Sequence, residues 1–420
     1  MLCSACYSGG LADQGASSLA STAGETDPDD GTRGADTSGP SPESEGGADT
    51  GGMPEMPTDG FLGGFFPIGV FSQPAYTMAD WQGIGLNTML EIPQGEDAGE
   101  WDDEARRLGM AMIRPPIGDP ASDIGRTDLL AWMLPDEPDV EANNGPCGGN
   151  CVSLIQSMSS SWRAIDPDRA IFVNVAGPNV LLSSSCDYCN GPGDDPPQDG
   201  CYPDNDECYP AIFATADWIS EDIYPVTGWL PSEQMRADIT VVGRALDRMR
   251  AWTDKPRFAI IELSDQRLGF DGTGNRAPTA AEYRAEIWHA IIHGAHGIFY
   301  FPHAFNPFEW EAVPPDVLDE MLVQHELIDE LAPLLQSDAD PDAMSIAVDA
   351  PLEATWRQTE DTAWVFVLNT ANAPGVAKIT IDGVDADAEV YAESRSLPFA
   401  DGGITDEFTP YAVHVYALPR

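Results

Sequence analysis

Two carboxylates each close a short apolar run. Glu137, in Asp136-Glu137-Pro138-Asp139, follows Leu129–Leu134 and Pro135, and Glu262 follows Phe258–Ile261. Fully apolar runs of this length read as strands of a parallel sheet covered on both faces. In a barrel of such strands, an acid at the C-terminal end lines the site. Two acids there can divide the work, one donating a proton to a leaving group and the other attacking as a nucleophile. Neighbouring run ends offer further polar groups: Glu91 at the second, Arg114 at the third and Asn174 at the fifth. At the sixth, Glu221 and Asp222 compete, because only one of two adjacent strand residues can face the axis. If Tyr224 points inward, so does Asp222.

The elements that must position these groups are legible as alternating apolar runs and amphipathic stretches, the signature of βα units. Strands are expected at Phe66–Phe71, Thr88–Ile92, Ala111–Arg114, Leu129–Leu134, Ala170–Val175, Trp218–Ile223, Arg257–Leu263 and Gly297–Phe301. Helices are expected at Asp102–Leu108, Leu154–Ile165, Ser232–Trp252, Ala280–His293 and Pro315–Gln336. Pro115 to Thr127 is too short for a full helix. The whole implies a (β/α)8 TIM barrel over 61–337. From 338 to 420 the pattern changes to alternation, in Met344–Val348, Thr362–Leu368, Ala377–Ile381, Glu389–Tyr391 and Tyr411–Leu418, which implies a small all-β sandwich. From Tyr7 to about Gly60 there is almost no large apolar residue, and such a segment reads as a disordered acidic tether.

The body resembles the clan A glycoside hydrolases, whose barrels place the acid/base after strand four and the nucleophile after strand seven. Glu137 and Glu262 stand at those positions. The clan's usual Asn-Glu-Pro appears here as Asp136-Glu137-Pro138. That Asn bonds the sugar 2-hydroxyl; Asp136 can accept such a bond and adds a charge that raises the pKa of Glu137, which suits a general acid. Tyr224, in Ser220-Glu221-Asp222-Ile223-Tyr224-Pro225, matches the tyrosine that positions the nucleophile. Phe301 takes the place of the usual sugar-stacking Trp. The resemblance implies a retaining glycosidase that needs no cofactor, with Glu137, Glu262 and Tyr224 catalytic, and with Asp136, Arg114, Glu91, Asn174, Asp222 and Phe301 holding an oligo- or polysaccharide. The two departures, Asp136 and Phe301, favour a rival reading: a non-catalytic carbohydrate-binding protein on a degenerate barrel.

The remaining features bound the setting. A formal charge of −50, from 70 acidic against 20 basic residues, argues against nucleic acid or anionic membrane surfaces as partners. Ser4-Ala5-Cys6 resembles the end of a bacterial lipoprotein signal, so lipidation at Cys6 and a secreted or cell-surface location are expected, with membrane contact only through that anchor. Six cysteines crowd together as Cys147-x3-Cys151, Cys186-x2-Cys189 and Cys201 to Cys208. In polar, Gly-rich loops of an exported chain they suggest three disulfides, paired within each close pair. Zinc is the alternative, but no second Cys-x2-Cys or His pair lies nearby. His289 and His293 have helical spacing without the intervening Glu of a zinc protease, so packing rather than metal is expected. Trp132 should pack near the barrel rim, while Trp81, Trp229 and Trp310 are either sugar platforms or structural. No Gly-x-Ser-x-Gly elbow and no phosphate loop is present.

Overall fold

The computed structural model describes residues 60–140, 151–181, 205–227, 237–267, 276–338 and 344–420. Eight parallel strands close into a barrel in sequence order: β1 (Ile68–Phe71), β2 (Thr88–Leu90), β3 (Ala111–Arg114), β4 (Leu129–Met133), β5 (Ala170–Ala176), β6 (Trp218–Asp222), β7 (Arg257–Glu262) and β8 (Ala295–Phe301). Each falls within a strand expected from the sequence or overlaps one, and all but β6, Trp218-Ile219-Ser220-Glu221-Asp222, are mainly apolar. Alternate residues then part company. Leu90, Ile113, Met133, Phe172, Phe258, Ile260 and Phe299 fill the barrel, while Met89, Met112, Trp132, Val173, Ala259 and Ile261 pack outward with the helices. Each large apolar side chain so buried contributes about 1.5–3 kcal/mol. Gly297 is required by this packing, since a Cβ there would lie 2.8 Å from the Phe258 ring. A short turn, Phe61–Gly64, stops the N-terminal end of the barrel, and Phe61 sets its ring edgewise on Trp218 (5.4 Å) and His296 (5.0 Å).

The described helices are α1 (Met78–Gly83), α2 (Ala98–Leu108), α3 (Cys151–Arg163), α4 (Gly177–Leu181), α5 (Asn205–Phe213), α6 (Val241–Trp252), α7 (Ala280–Ile292) and α8 (Pro315–Leu335). Local chemistry fixes their ends. Asp97 caps α2 by accepting from the Gly99 and Glu100 N–H groups, and Gly109, with φ of 72°, ends it in the left-handed conformation. Thr279 and Glu282 form a reciprocal capping box on α7. After β3 there is only a single 3-10 turn, Pro120–Asp123, as the short third unit implied. The helix expected from Ser232 begins at Val241 among the described residues.

After the barrel, β9 (Ala304–Phe305) and β10 (Phe308–Glu309) pair as a short hairpin, and the C-terminal region forms two antiparallel sheets from β11 (Ser345–Ala347), β12 (Leu352–Gln358), β13 (Thr362–Asn369), β14 (Gly375–Asp382), β15 (Ala388–Val390), β16 (Arg395–Leu397), β17 (Gly403–Phe408) and β18 (Val413–Pro419). Their orders are β11-β14-β17 and β12-β13-β18-β15-β16. The sandwich was legible, but β12, β16 and β17 were not. In Leu352-Glu353-Ala354-Thr355-Trp356-Arg357-Gln358 only Leu352 is fully buried, so the alternation is blurred. Trp288 of α7 stacks on Phe366 of β13 at 6.0 Å, joining the sandwich to the barrel's outer layer. No described helix is long and apolar enough to cross a membrane.

Candidate active site at the C-terminal mouth

Strands β4 to β8 bring most of the expected residues to one end of the barrel. Glu137 lies four residues past the end of β4, with φ of 41°, and its N–H donates to the Asn174 carbonyl at 3.1 Å. Glu91 also has a left-handed backbone, φ of 61°, just past β2. Side chains other than glycine seldom adopt this region, and such residues cluster where the fold fixes functional groups. Asn174 follows Phe172 on the inward face of β5. Its Nδ2 donates to Asp136 at 2.9 Å, while its Oδ1 has no partner.

On β6 the inward face carries Trp218, then Ser220, Asp222 and Tyr224. The alternation argument for Asp222 therefore holds, and Glu221 turns outward, against Gly177 of α4. The Tyr224 hydroxyl donates to Asp222 at 3.3 Å, and its ring stacks on Phe301 at 5.5 Å. Phe301 in turn meets Phe71 at 5.9 Å. Glu262 ends β7 two positions beyond inward-facing Ile260. It is fully enclosed, and its two oxygens accept from the N–H groups of Val226 (2.5 Å) and Thr227 (2.7 Å).

The electrostatics follow from crowding acids in a dry place. Burial pushes Asp136 up to about 6, against the opposing bond from Asn174. Asp222 is driven well above the carboxylate range by burial first and then by Glu137 and Asp136. Glu91 is raised by burial and by Asp136. Glu262 is raised to about 7 by burial, against the Thr227 and Val226 bonds. Tyr224 is raised by burial and by the charges of Asp222, Glu137, Asp136 and Glu262. Carboxyls so placed share protons, and their titrations belong to the group.

Arg114 does not join them. Its neighbour Ile113 faces inward, so the guanidinium faces out, where it bonds Asp102 (2.8 Å) and Asp123 (2.9 Å) between α2 and the 3-10 turn. Its expected role as a sugar ligand is thereby corrected: it is a structural ion pair. Trp132 bonds the same Asp123, in the outer layer. Trp81 is buried on α1 and donates to Gln73, so it is no sugar platform. Trp310 stands edgewise to His303 at 5.5 Å, above the mouth, and Trp229 lies outside the described residues.

Sequence reasoning passed over three buried groups here. Gln73, after β1, bonds His303 at 2.7 Å and the Trp310 carbonyl at 3.1 Å. Burial lowers His303 to about 4, so it stays neutral. Asp139 accepts from the Ala176 N–H and from Tyr209, tying the loop after β4 to β5 and α5. A polar residue two places past an inward strand residue is the signal that could have found Gln73, since Phe71 faces in.

His289, His293 and Glu353 converge elsewhere, between α7 and β12. The Gly243 N–H donates to His289 Nδ1 at 2.8 Å, which leaves the proton on Nε2, directed at Glu353 (2.9 Å). That tautomer presents no lone pair to a metal. Cys6, Cys147, Cys186, Cys189 and Cys201 lie outside the described residues, Cys151 opens α3, and Cys208 is buried on α5 in a disulfide.

No protein-family model matches the chain, and no curated protein does. Solved structures with a similar fold include a catalytic mutant of Gan42B, a GH42 β-galactosidase from G. stearothermophilus, with a TM-score of 0.56 and 9% identity, covering 85% of this chain and 98% of that one. An α-amylase from Geobacillus thermoleovorans complexed with acarbose gives 0.51 and 11% identity, covering 82% and 91%. At such identities the likeness is one of fold: the chain shares the barrel seen in glycoside hydrolases.

Proposed function

We propose that the chain is a retaining glycoside hydrolase acting on an extracellular oligo- or polysaccharide. Glu137 protonates the leaving glycosidic oxygen and Glu262 attacks the anomeric carbon. Glu137 then activates the water that releases the sugar. The observation that carries the reading is buried Tyr224, which bonds Asp222 and is near enough to both Glu137 and Glu262 to feel their charges. The barrels of a β-galactosidase and of an α-amylase bound to acarbose accord with it. In the test, Glu262→Ala abolishes turnover, and azide restores it with inverted product stereochemistry. Glu137→Ala still forms the glycosyl-enzyme from substrates with good leaving groups, and azide rescue retains configuration. Absence of rescue in both variants overturns the assignment.

One observation favours the rival, a carbohydrate-binding protein without turnover. Glu262 is enclosed, with both oxygens held by backbone N–H groups. On that reading the native protein cleaves no glycoside yet still binds sugar. The setting proposed is outside the cell, with Cys6 lipidated, an acidic tether, and three disulfides stiffening the loops between Cys147 and Cys208. The disulfide at Cys208 supports the last point. Thiol titration of denatured, unreduced protein should find none of these six cysteines free.

A further inference from the structure

The floor of the mouth is a set of acceptors short of donors. Asn174 Oδ1, Ser220 Oγ and Asp222 Oδ1 are all buried without a hydrogen-bond partner. Asn174 and Ser220 are themselves fully enclosed and are register partners on β5 and β6. Asp222 Oδ2 receives only the long 3.3 Å bond from Tyr224. Glu91, across the mouth, lies close enough to Asp136 to be raised by it. Leaving buried acceptors unmet is costly, about 1–3 kcal/mol each and more for charged groups. Whatever fills the site must therefore bring donors.

No described basic side chain meets this need. Of the 20 basic residues all but Arg33 and Arg236 are described. The nearest in sequence, Arg114, is spent on Asp102 and Asp123 on the far side of β3. Arg276 grips Glu282 through two bonds, and Arg267 pairs with Glu309. Among the described residues, an anionic sugar would face only like charges here. A hydroxyl offers one donor but turns lone pairs towards carboxyls. An ammonium group offers three donors and no lone pair, and its charge favours the ionised forms of Asp222 and Glu91, which burial otherwise pushes towards protonation.

We infer that the sugar seated against Asn174, Ser220, Asp222 and Glu91 carries a protonated amino group, so that the preferred substrates are oligosaccharides of free amino sugars rather than their acetylated, neutral or acidic counterparts. The inference rests on the reading of the mouth as a sugar site. It does not depend on cleavage.

The test is calorimetric binding to the Glu137→Gln variant, which suppresses turnover, at neutral pH. The probes are glucosamine tetramer, its fully N-acetylated counterpart and cellotetraose. The amino sugar is expected to bind at least about tenfold tighter than the other two, and Asp222→Asn should cost the amino sugar far more affinity than it costs cellotetraose. Glu91→Gln serves as a second variant should Asp222→Asn fold poorly, and each must keep the parent melting temperature. Because the whole chain is acidic, cationic sugars will also cling to its surface. That attraction is screened within roughly 3 Å at about 1 M salt, so a preference that vanishes in high salt, or survives both substitutions, overturns the inference. Equal or tighter binding of the acetylated or neutral sugar does so as well. If the preference holds while the native protein cleaves none of the probes, the inference stands and the hydrolase reading falls. Cleavage of neutral glycosides with no preference for the amine gives the reverse.

Discussion

Asp136 is the residue at which this barrel departs most plainly from the resemblance it shows, and its effect is electrostatic. Buried beside Glu137 and bonded by Asn174, it titrates near 6, while Glu262 titrates near 7. A nucleophile must be ionised, so kcat/KM should climb as pH rises through about 6 to 7, with apparent values that belong to the cluster. Asp136→Asn relieves Asp222 and Glu91, whereas burial sets Glu262, so the acidic limb should stay near 7. A pH profile on an aryl glycoside whose acidic limb moves with that substitution would count against Glu262 as the group that sets it. Two further acids, Glu221 and Glu286, are buried outside the barrel with no partner on any oxygen, and burial raises both. A carboxyl raised in the folded state contributes its stability below the ordinary carboxylate range and loses it as pH rises towards the folded value. Glu286→Gln should therefore raise the melting temperature by about 2–4 °C at pH 8 and by little at pH 4. Of the site, alternation made Asp222 legible over Glu221. The same rule read from Ile113 would have turned Arg114 outward, but an arginine at a strand end also suits a ligand, and its two acids are distant in sequence.

At the scale of elements, the sandwich is pinned to the barrel by one protonic clasp. His293, ending α7, bonds Asp247 of α6 at 2.8 Å and Glu353 of β12 at 2.6 Å, and its partner His289 bonds the same Glu353. Two carboxylates make His293 an imidazolium, raised to about 9 against its own burial, with Arg250 and Asp238 the other charges near the cluster. A raised histidine contributes below its ordinary value, about 6.5, and loses that contribution as pH climbs through about 9. Glu353, held far below the carboxylate range by the two histidines, contributes above its ordinary value and fails as pH falls. The clasp should be strongest between about pH 4.5 and 6.5 and weaken from there to about 9. His293→Ala should cost on the order of 2 kcal/mol at pH 7 and flatten the alkaline fall in melting temperature. Parallel melting curves for the variant and parent from pH 6 to 10 would refute the clasp. Nothing in the sequence joined α7 to Glu353. Most of the barrel strands were readable because both faces are covered and their runs are largely apolar, whereas β12 is half-covered and blends into a loop.

Across the whole molecule, the described body opens on one aromatic residue. Gly60 lies beside Gln336, whose carbonyl accepts from Phe61 N–H at 3.0 Å. Phe61 then closes the barrel floor on Trp218, Phe258 and His296. The sequence before Gly60 holds almost no large apolar residue, which is the basis for the proposal that it is a tether adding nothing to the core. Removing residues 1–59 should therefore leave the melting temperature within roughly 2 °C. Removing Phe61 and Leu62 as well opens the barrel floor, and losing a half-buried Phe costs up to about 3 kcal/mol, the low end for a fully buried one. In a body of this size that corresponds to a fall of several degrees or more. Paired truncations followed by thermal unfolding decide the matter. A large fall on the first cut would mean that the acidic segment docks on the body, and no fall on the second would mean that the barrel closes without its plug.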